Sequence, residues 1–155
     1  MAGTDITIRP VTADDAAQWH RLYTGYAEFY RVEQTAEMRD TVLAWLLDDA
    51  HTSQGLVAEA ADGTLLGLAH YRPFARPLSA STGMYLDDLF VDPEHRGSGA
   101  ARLLLAELAR IAADRGWTLT RWITRDDNYR ARGLYDQVAA RTDWITYDMP
   151  PADAR

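Results

Sequence analysis

Two glycines in a short turn, between an apolar segment and a long helical pattern, constrain this 155-residue chain more than any other feature. The apolar segment ends at Val91, the turn contains Gly97 and Gly99, and the helical pattern follows directly. Glycine lets the backbone approach a bulky anion without a Cβ in the way. The start of a helix adds unpaired N–H groups and the positive end of the helix dipole. Together these elements predict an anion site, and a pyrophosphate is the anion they favour.

The composition indicates one folded domain and narrows its partners. With 47% hydrophobic residues the chain can form a sizeable core, and we expect one domain over residues 1–149 with a short tail at 150–155. The formal net charge of −7 argues against a nucleic-acid surface, and suits either a cationic substrate or simple solubility. The chain has no cysteine, which excludes disulfides and thiolate nucleophiles and suits the cytoplasm. No apolar segment approaches the roughly 20 residues of a membrane span.

Apolar periodicity and turn residues predict an alternation of strands and helices. Predicted helices span about 12–26, 35–48, 98–115 and 128–139, and predicted strands span 6–9, 56–60, 65–71, 84–91, 117–124 and 144–149. An Asp62-Gly63 turn joins the second and third strands in a hairpin. Proline, serine and glycine predict a loop over 72–83 and the pattern favours disorder after Pro150. This order predicts an α/β chain with a mixed sheet and helices on both faces.

Two familiar phosphate-binding loops do not fit the glycine turn. A Walker loop needs a lysine after the glycines, and this chain has Ala100-Ala101 there. A dinucleotide-binding loop needs three spaced glycines near the start of the fold, whereas this turn lies past the midpoint and follows a hairpin.

Two motifs, in order, resemble the GNAT superfamily of N-acetyltransferases. Residues 96–101 follow that family's coenzyme A loop pattern, (Gln/Arg)-x-x-Gly-x-(Gly/Ala), and residues 85–91 are similar to its central strand. A second motif, Asn-x-x-Ala-x-x-Leu-Tyr, runs from Asn128 to Tyr135. The resemblance covers about residues 5–149 and implies the GNAT fold, with a central mixed, mostly antiparallel sheet. The acidic residue in the central strand, Asp87, makes the chain most similar to the diamine and polyamine (spermidine/spermine acetyltransferase-like) branch of the family.

The resemblance implies direct transfer of the acetyl group of acetyl-CoA to a primary amine. The implied acceptor is a small cationic molecule, either a polyamine or an amino-acid derivative. A protein lysine or N-terminus and, less favoured, an aminoglycoside are alternative acceptors, and a non-catalytic CoA-binding regulatory module is the alternative class. A homodimer is expected from the family, and the isolated histidines predict no metal site.

The resemblance also assigns coenzyme contacts. The backbone of Leu89, Phe90 and Val91 would pair with the pantetheine arm like an added strand. Asn128 would hydrogen-bond the coenzyme, with capping of its own helix as the simpler interpretation. The glycine turn and the helix start would hold the pyrophosphate; these residues are Arg96, Gly97, Ser98, Gly99, Ala100, Ala101 and Arg102.

Two residues are implied as catalytic, Tyr135 and Asp87. A tyrosine with a pKa near ~10 can protonate a departing thiolate whose thiol has a pKa near ~8.5, and core packing is the alternative for Tyr135. Asp87 aligns with the branch's acid, usually glutamate, and would orient the ammonium and relay its proton through water. Strand alternation predicts that Asp87 and Asp88 face opposite sides of the sheet. The aromatic residues near Tyr26 are predicted to pack in the core, with Glu28 and Glu33 as further candidates for binding a cation.

Overall fold

The computed structural model describes residues 5–153 and contains five strands and four α-helices within them. The strands are β1 (Ile6–Pro10), β2 (Gln54–Ala60), β3 (Leu65–Arg76), β4 (Ser81–Val91) and β5 (Thr120–Arg121), and the helices are α1 (Ala16–Phe29), α2 (Ala36–Leu47), α3 (Ala100–Asp114) and α4 (Tyr129–Val138). The chain divides into two compact units. The first unit ends at Ile123 and holds the sheet with α1 to α3, and the second begins at Thr124 and holds α4. The predicted single domain over 1–149 stays a prediction.

The five strands form one sheet in the order β1-β2-β3-β4-β5. Every neighbouring pair is antiparallel except β4 and β5, which run parallel. The predicted mixed, mostly antiparallel sheet is therefore confirmed. The predicted hairpin turn is also present, since Gly63 adopts a φ of +89° and Asp62 Oδ1 accepts a hydrogen bond from Thr64 N at 3.0 Å.

Helix α1 buries Trp19, Leu22 and Tyr23 against one face of the sheet, where they meet β3 and β4. Thr12 and Asp15 cap the start of this segment, because the Asp15 carboxylate accepts a hydrogen bond from Thr12 N at 2.8 Å. Asp15 also forms a salt bridge with Arg9, whose Nη1 lies 2.8 Å from Asp15 Oδ2. The entry to α1 is thereby attached to β1.

Helix α3 packs on the opposite face of the sheet. Tyr71 of β3 faces this side, and its hydroxyl donates to Gln54 Oε1, which also accepts from Arg115 at the end of α3. The helix predicted over 98–115 is present and buries an apolar stripe that includes Leu104 and Leu108, and Gly116 ends it with a φ of +68°. The prediction of helices on both faces is confirmed.

The predicted loop over residues 72–83 is wrong in most of its length. Strand β3 continues to Arg76 and β4 begins at Ser81, with a single turn of 3₁₀-helix at Pro77–Ser79 between them. Pro73 misled the prediction because a proline removes a ladder hydrogen bond. Strand β2 pairs with β3 only as far as Tyr71. Pro73 therefore lies where β3 has β4 on one side and, within residues 5–153, no strand on the other.

Two strands predicted near the C-terminus differ from the structure. The strand predicted over 117–124 is reduced to Thr120 and Arg121. Residues 144–149 form no strand, and Trp144, Ile145, Tyr147 and Met149 are between 74% and 91% exposed. The disorder predicted after Pro150 is not tested at residues 154–155, which lie outside the described residues. Within residues 5–153, no helix is both long and apolar enough to cross a membrane.

Candidate active site

Strand β4 contains a β-bulge at Asp87. Asp88 lies opposite His70 on β3, while Leu86 lies opposite Tyr71, so Asp87 has no cross-strand partner in the register. One extra residue on one strand bends it and interrupts the alternation of its side chains. Bulges of this kind re-aim side chains, which makes the position a candidate for function.

The bulge places Asp87 and Asp88 on the same face of the sheet. His70 and Arg72 are two residues apart on β3 and therefore share a face. His70 Nδ1 lies 2.8 Å from Asp88 Oδ2, and Arg72 Nε lies 3.0 Å from Asp87 Oδ2. Both carboxylates consequently lie on the face that carries His70, which is the face covered by α1. The predicted opposite orientation of the two aspartates is wrong, because strict alternation does not survive an extra residue.

Asp88 belongs to a buried cluster made of Trp19, Tyr23, His70 and Asp88. Asp88 Oδ2 accepts a hydrogen bond from Tyr23 OH at 2.9 Å as well as from His70 Nδ1. Trp19 Nε1 lies 3.0 Å from His70 Nε2. An indole N–H can only donate, so Nε2 is the acceptor and Nδ1 carries the proton that His70 donates to Asp88. The hydrogen bonds of this cluster therefore run in one direction, from Trp19 through His70 to Asp88.

The buried cluster keeps Asp88 ionised. Burial would raise the pKa of Asp88, but hydrogen bonds from His70, Tyr23 and Tyr26 outweigh it and lower that pKa below the ordinary aspartate value. Burial and the neighbouring Asp88 charge raise the pKa of Tyr23 and of Tyr26, so both phenols stay protonated as donors. Asp88 is thus a carboxylate surrounded by donors from its own chain, which suits it to hold α1 against β3 and β4.

Asp87 forms an exposed pair with Arg72. Their side chains are 36% and 40% exposed, and the Arg72 guanidinium also stacks over Tyr85, with 4.8 Å between Cζ and the ring centroid. Burial raises the pKa of Asp87, and the hydrogen bond and charge of Arg72 oppose that rise. The exposed pair can therefore offer a carboxylate oxygen to a cation from solvent, as the sequence predicts for Asp87.

Beyond the bulge, β4 has an edge with no neighbouring strand. Residues Leu89, Phe90 and Val91 pair with β3 at Ala69, Leu68 and Gly67. On the other side β5 pairs with Met84 and Tyr85 alone, so within residues 5–153 no strand covers that edge at 89–91. Backbone groups on such an edge can pair with an extended ligand as another strand would.

The predicted anion loop follows β4 directly. Gly97 and Gly99 adopt φ values of +82° and +90°, and a Cβ built on either would meet nothing within 4 Å. The left-handed conformation therefore requires glycine at both positions, and open space surrounds the backbone there. Helix α3 starts at Ala100, whose N–H donates to Ser98 Oγ at 3.3 Å, and its N-terminus adds positive potential. A diphosphate fits this open backbone at a helix start.

The remaining residues predicted in the loop lie close by in the chain. Arg96 is exposed and its Cζ lies 5.9 Å from the ring centroid of Phe29 at the end of α1. Ala101 and Arg102 lie in the first turn of α3, with Arg102 exposed. Arg21 of α1 forms a salt bridge with Asp92, with 2.8 Å between Nη1 and Oδ2. The residues that start the loop are thus tied to α1.

In the second unit, Asn128 and Tyr135 lie on α4. Asn128 occupies the position before the first turn, but its side chain does not cap the helix, because Nδ2 donates to Thr124 Oγ1 at 3.1 Å. Tyr135 lies in the second half of the helix and is half-buried. The capping interpretation of Asn128 is thus wrong for its side chain, while its predicted coenzyme contact stays a prediction.

Sequence reasoning missed Arg72 and the role of His70. The prolines after Arg72 predict a loop there, and His70 belongs to the isolated histidines for which the sequence predicts no metal role. The ring of His70 has its hydrogen bonds satisfied, and one of its partners is the carboxylate of Asp88 on the neighbouring strand. Within residues 5–153 no group of three or more metal-ligating side chains is assembled. Glu28 and Glu33 are exposed, and their role as cation ligands stays a prediction.

Known proteins match this chain in sequence and in fold. Residues 19–139 match the Acetyltransferase (GNAT) family, so this chain belongs to the GNAT acetyltransferases. The D-amino-acid N-acetyltransferase HPA3 of Saccharomyces cerevisiae is 27% identical over 148 residues, covering 95% of this chain and 92% of that protein. The thialysine N-epsilon-acetyltransferase of Bos taurus is 36% identical over 58 residues, covering 37% of this chain and 34% of that protein.

A solved structure shows the same fold. The ribosomal-protein-alanine N-acetyltransferase from Brucella melitensis biovar Abortus 2308 superposes with a TM-score of 0.78 at 27% identity, covering 94% of this chain and 99% of that one. The resemblance to the GNAT superfamily and its fold is therefore confirmed, and the chain is an acyltransferase of this family.

Proposed function

We propose that this protein transfers the acetyl group of acetyl-CoA to the primary amine of a small acceptor. One observation carries the proposal: the edge of β4 at Leu89–Val91 has no strand beside it, and the open glycine loop and the start of α3 follow without interruption. An extended arm that ends in a diphosphate matches that combination of surfaces. The D-amino-acid N-acetyltransferase among the relatives supports a small amine as acceptor.

In this proposal the protein binds the coenzyme mainly through hydrogen bonds from its backbone, and side chains contribute less. Leu89, Phe90 and Val91 hydrogen-bond the pantetheine arm, and the backbone from Gly97 to Arg102 binds the diphosphate. Arg96 adds positive charge beside the loop, and Asn128 hydrogen-bonds the coenzyme. When bound, acetyl-CoA supplies an activated acetyl group as a thioester.

Asp87 orients the acceptor ammonium and accepts one of its protons through water. An N–H on the free edge of β4 stabilises the negative charge that develops on the carbonyl oxygen. The nitrogen–carbon bond forms and the carbon–sulfur bond breaks. The ammonium loses two protons in the reaction. One is released to solvent. Tyr135 gives a proton to the departing sulfur, and the second proton from the amine restores the protonated tyrosine.

Thiol release from acetyl-CoA in the presence of an amine panel tests the function itself. The panel contains amino acids, diamines, an aminoglycoside and a lysine peptide, and we expect turnover with a small amine. A folded protein that binds CoA tightly yet acetylates no amine would overturn the proposal in favour of a CoA-binding module.

Replacement of Tyr135 by phenylalanine tests the assigned acid. We expect kcat to fall by roughly 100-fold, because the departing sulfur loses its proton donor. Tyr129→Phe is the matched control, because Tyr129 lies on the same helix and is 75% exposed. This variant should leave kcat near the wild-type value. Equal rates for wild type and Tyr135→Phe would remove Tyr135 as the acid while leaving the acetyl transfer in place.

The expected location, oligomeric state and partners of the protein stay predictions. They are a cytoplasmic location, a homodimer, and independence of metal, nucleic acid and membrane. Direct transfer through a ternary complex is likewise proposed, and the absence of cysteine from the chain removes one covalent route.

A further inference from the structure

The segment 144–149 leaves an unusual amount of apolar surface in water. Four of its six residues are large and apolar, and each of them is at least 74% exposed: Trp144, Ile145, Tyr147 and Met149. No strand within residues 5–153 pairs with the backbone of this segment. Neighbouring apolar side chains that all lie in solvent mark an interaction surface, whereas single ones are ordinary.

In an extended conformation the segment 144–149 would have two different faces. Ile145, Tyr147 and Met149 would share one face, because alternate residues of a strand point the same way. The other face would carry one apolar and two polar residues, namely Trp144, Thr146 and Asp148. One face is therefore wholly apolar, and the other includes a hydroxyl and a carboxylate.

Strand β5 forms an edge of the sheet that can take one more strand. Within residues 5–153 it has β4 on one side and no strand on the other. It contains only Thr120 and Arg121, although the sequence predicts a strand over 117–124. An edge strand presents a row of unpaired backbone N–H and C=O groups, and an extended segment can pair with them.

The side of the sheet that faces α3 matches the apolar face of the segment. Met84 lies opposite Pro73, which is two residues after Tyr71, so Met84 faces α3 with Tyr71 and is fully buried. Thr120 of β5 lies opposite Met84 and shares that side. The apolar layer beneath α3 therefore reaches the edge of the sheet, where three further apolar side chains would extend it.

The other side of the sheet matches the polar face of the segment. Arg121 lies on this side, with 5.5 Å between its Cζ and the ring centroid of Phe74. Its side chain is half-buried, and it forms no salt bridge within residues 5–153. With the apolar face towards α3, the segment would bring Asp148 to the side of Arg121, and the two charges are complementary.

We propose that residues 144–149 of one copy of the chain add as a strand to the β5 edge of a second copy, and that the exchange is reciprocal. A single copy leaves both the segment and the edge without a neighbouring strand, and a reciprocal exchange supplies both. A two-fold pair uses the same surfaces of the two copies, which closes the assembly at a dimer. The inference gives the expected homodimer a defined interface and does not depend on the proposed acetyl transfer.

The surface that the exchange would bury is large enough for a stable dimer. Aromatic side chains bury roughly 150–250 Å² each, and the two copies together would bury four of them. With Ile145 and Met149 of both copies added, the buried area reaches about 1,200 Å², where specific protein interfaces begin.

Cross-linking between copies tests the proposed contact, and the chain has no cysteine of its own to interfere. Thr146→Cys marks the segment, and Ile123→Cys marks the end of the β5 edge, where Ile123 is 64% exposed. The two single-cysteine chains are co-expressed with different tags, and we expect a short bismaleimide to join one to the other. Ala61→Cys, in the exposed turn between β2 and β3, is the matched control and should not join to Thr146→Cys.

A chain that carries both Thr146→Cys and Ile123→Cys separates exchange from closure within one copy. Exchange predicts cross-linked dimers, whereas pairing of the segment with its own β5 predicts cross-linked monomers alone. The monomer result, or no cross-link between the co-expressed chains, would overturn the inference.

Light scattering on a sizing column tests whether this contact holds the dimer together. We expect wild type to elute at twice the chain mass, and Tyr147→Glu to raise the dimer dissociation constant by at least roughly 100-fold, because the contact would bury a charge. Leu47→Glu, at the end of α2 and 41% exposed, is the matched control and should stay dimeric. Tyr147 is exposed in the single chain, so the variant should keep the wild-type circular dichroism. A monomeric wild type, or a dimer that persists in Tyr147→Glu, would contradict the exchange.

Discussion

The buried cluster and the exposed pair use the same side chain, aspartate, in opposite ways at adjacent positions of β4. Asp88 is 17% exposed and accepts hydrogen bonds from His70 and Tyr23, while Asp87 is 36% exposed and contacts a single arginine. The surroundings lower the pKa of Asp88 and raise that of Asp87. The difference teaches that a carboxylate satisfied by its own fold stabilises structure, whereas one left with spare acceptor capacity is available to a ligand.

Alanine at each aspartate should give the largest contrast between the two regions. Asp88→Ala leaves the Tyr23 hydroxyl and the His70 ring without their acceptor in a buried setting, and we expect the free energy of unfolding to fall by about 3 kcal/mol. Asp87→Ala breaks only an exposed ion pair and should cost less than about 1 kcal/mol. Urea unfolding of both variants measures the difference, and equal losses would contradict the distinction.

The indole of Trp19 should matter next, because it supplies the first donor of the buried cluster. Trp19→Phe leaves His70 Nε2 without its partner, and we expect a loss of about 2 kcal/mol in the free energy of unfolding. Trp45→Phe is the matched control, since Trp45 also contacts a histidine, His51, but is 43% exposed. We expect a change within about 0.5 kcal/mol for this surface residue. Similar losses in the two variants would show that His70 needs no donor at Nε2.

The charges of the two aspartates should affect stability with opposite signs, and the pH dependence of unfolding should show it. We expect this effect to be smaller than those of Asp88→Ala and Trp19→Phe. The folded pKa of Asp88 lies below its unfolded value, so its contribution is present above about pH 4 and is lost as the pH falls through the folded pKa. The folded pKa of Asp87 lies above its unfolded value, so its charge costs stability at neutral pH, and that cost disappears as the pH falls through the folded pKa.

Asparagine variants measure this difference by urea unfolding at pH 7 and in acid. Asp88→Asn should be less stable than wild type at pH 7, with a deficit that narrows on acidification. Asp87→Asn should be at least as stable as wild type at pH 7. Any gain in its free energy of unfolding over wild type should also become smaller on acidification. A neutral-pH deficit in Asp87→Asn as large as that of Asp88→Asn would contradict the assignment.

The order of the elements as far as α4 and the backbone conformation of the glycine loop could be predicted from sequence because their signals are local. Glycines with positive φ, an apolar stripe and a capping carboxylate are properties of a few neighbouring residues, as Gly97, Gly99 and Asp15 illustrate. The motif around Asp87 points to that residue, and within residues 5–153 the side of β4 away from β3 has no neighbouring strand there.

The remaining features depend on the neighbouring strand, which a strand's own residues do not specify. The bulge at Asp87 is visible only in the pairing of β4 with β3, so alternation assigned Asp88 to the wrong face. Pro73 is tolerated in β3 because β2 has already ended. Residues 144–149 have strand-like composition, but their backbone has no ladder partner within residues 5–153, so they form no strand.

The bulge also makes one kind of genetic change unusually consequential. Asp87 is an inserted residue rather than a paired one, so loss of its single codon would restore a regular β4. The same loss would remove the carboxylate that we propose binds the acceptor ammonium, and would leave Arg72 without a counter-charge. No point mutation would make both changes at once. Among related genes, a one-codon difference in length at this position would therefore be a stronger sign of a changed acceptor than many scattered substitutions.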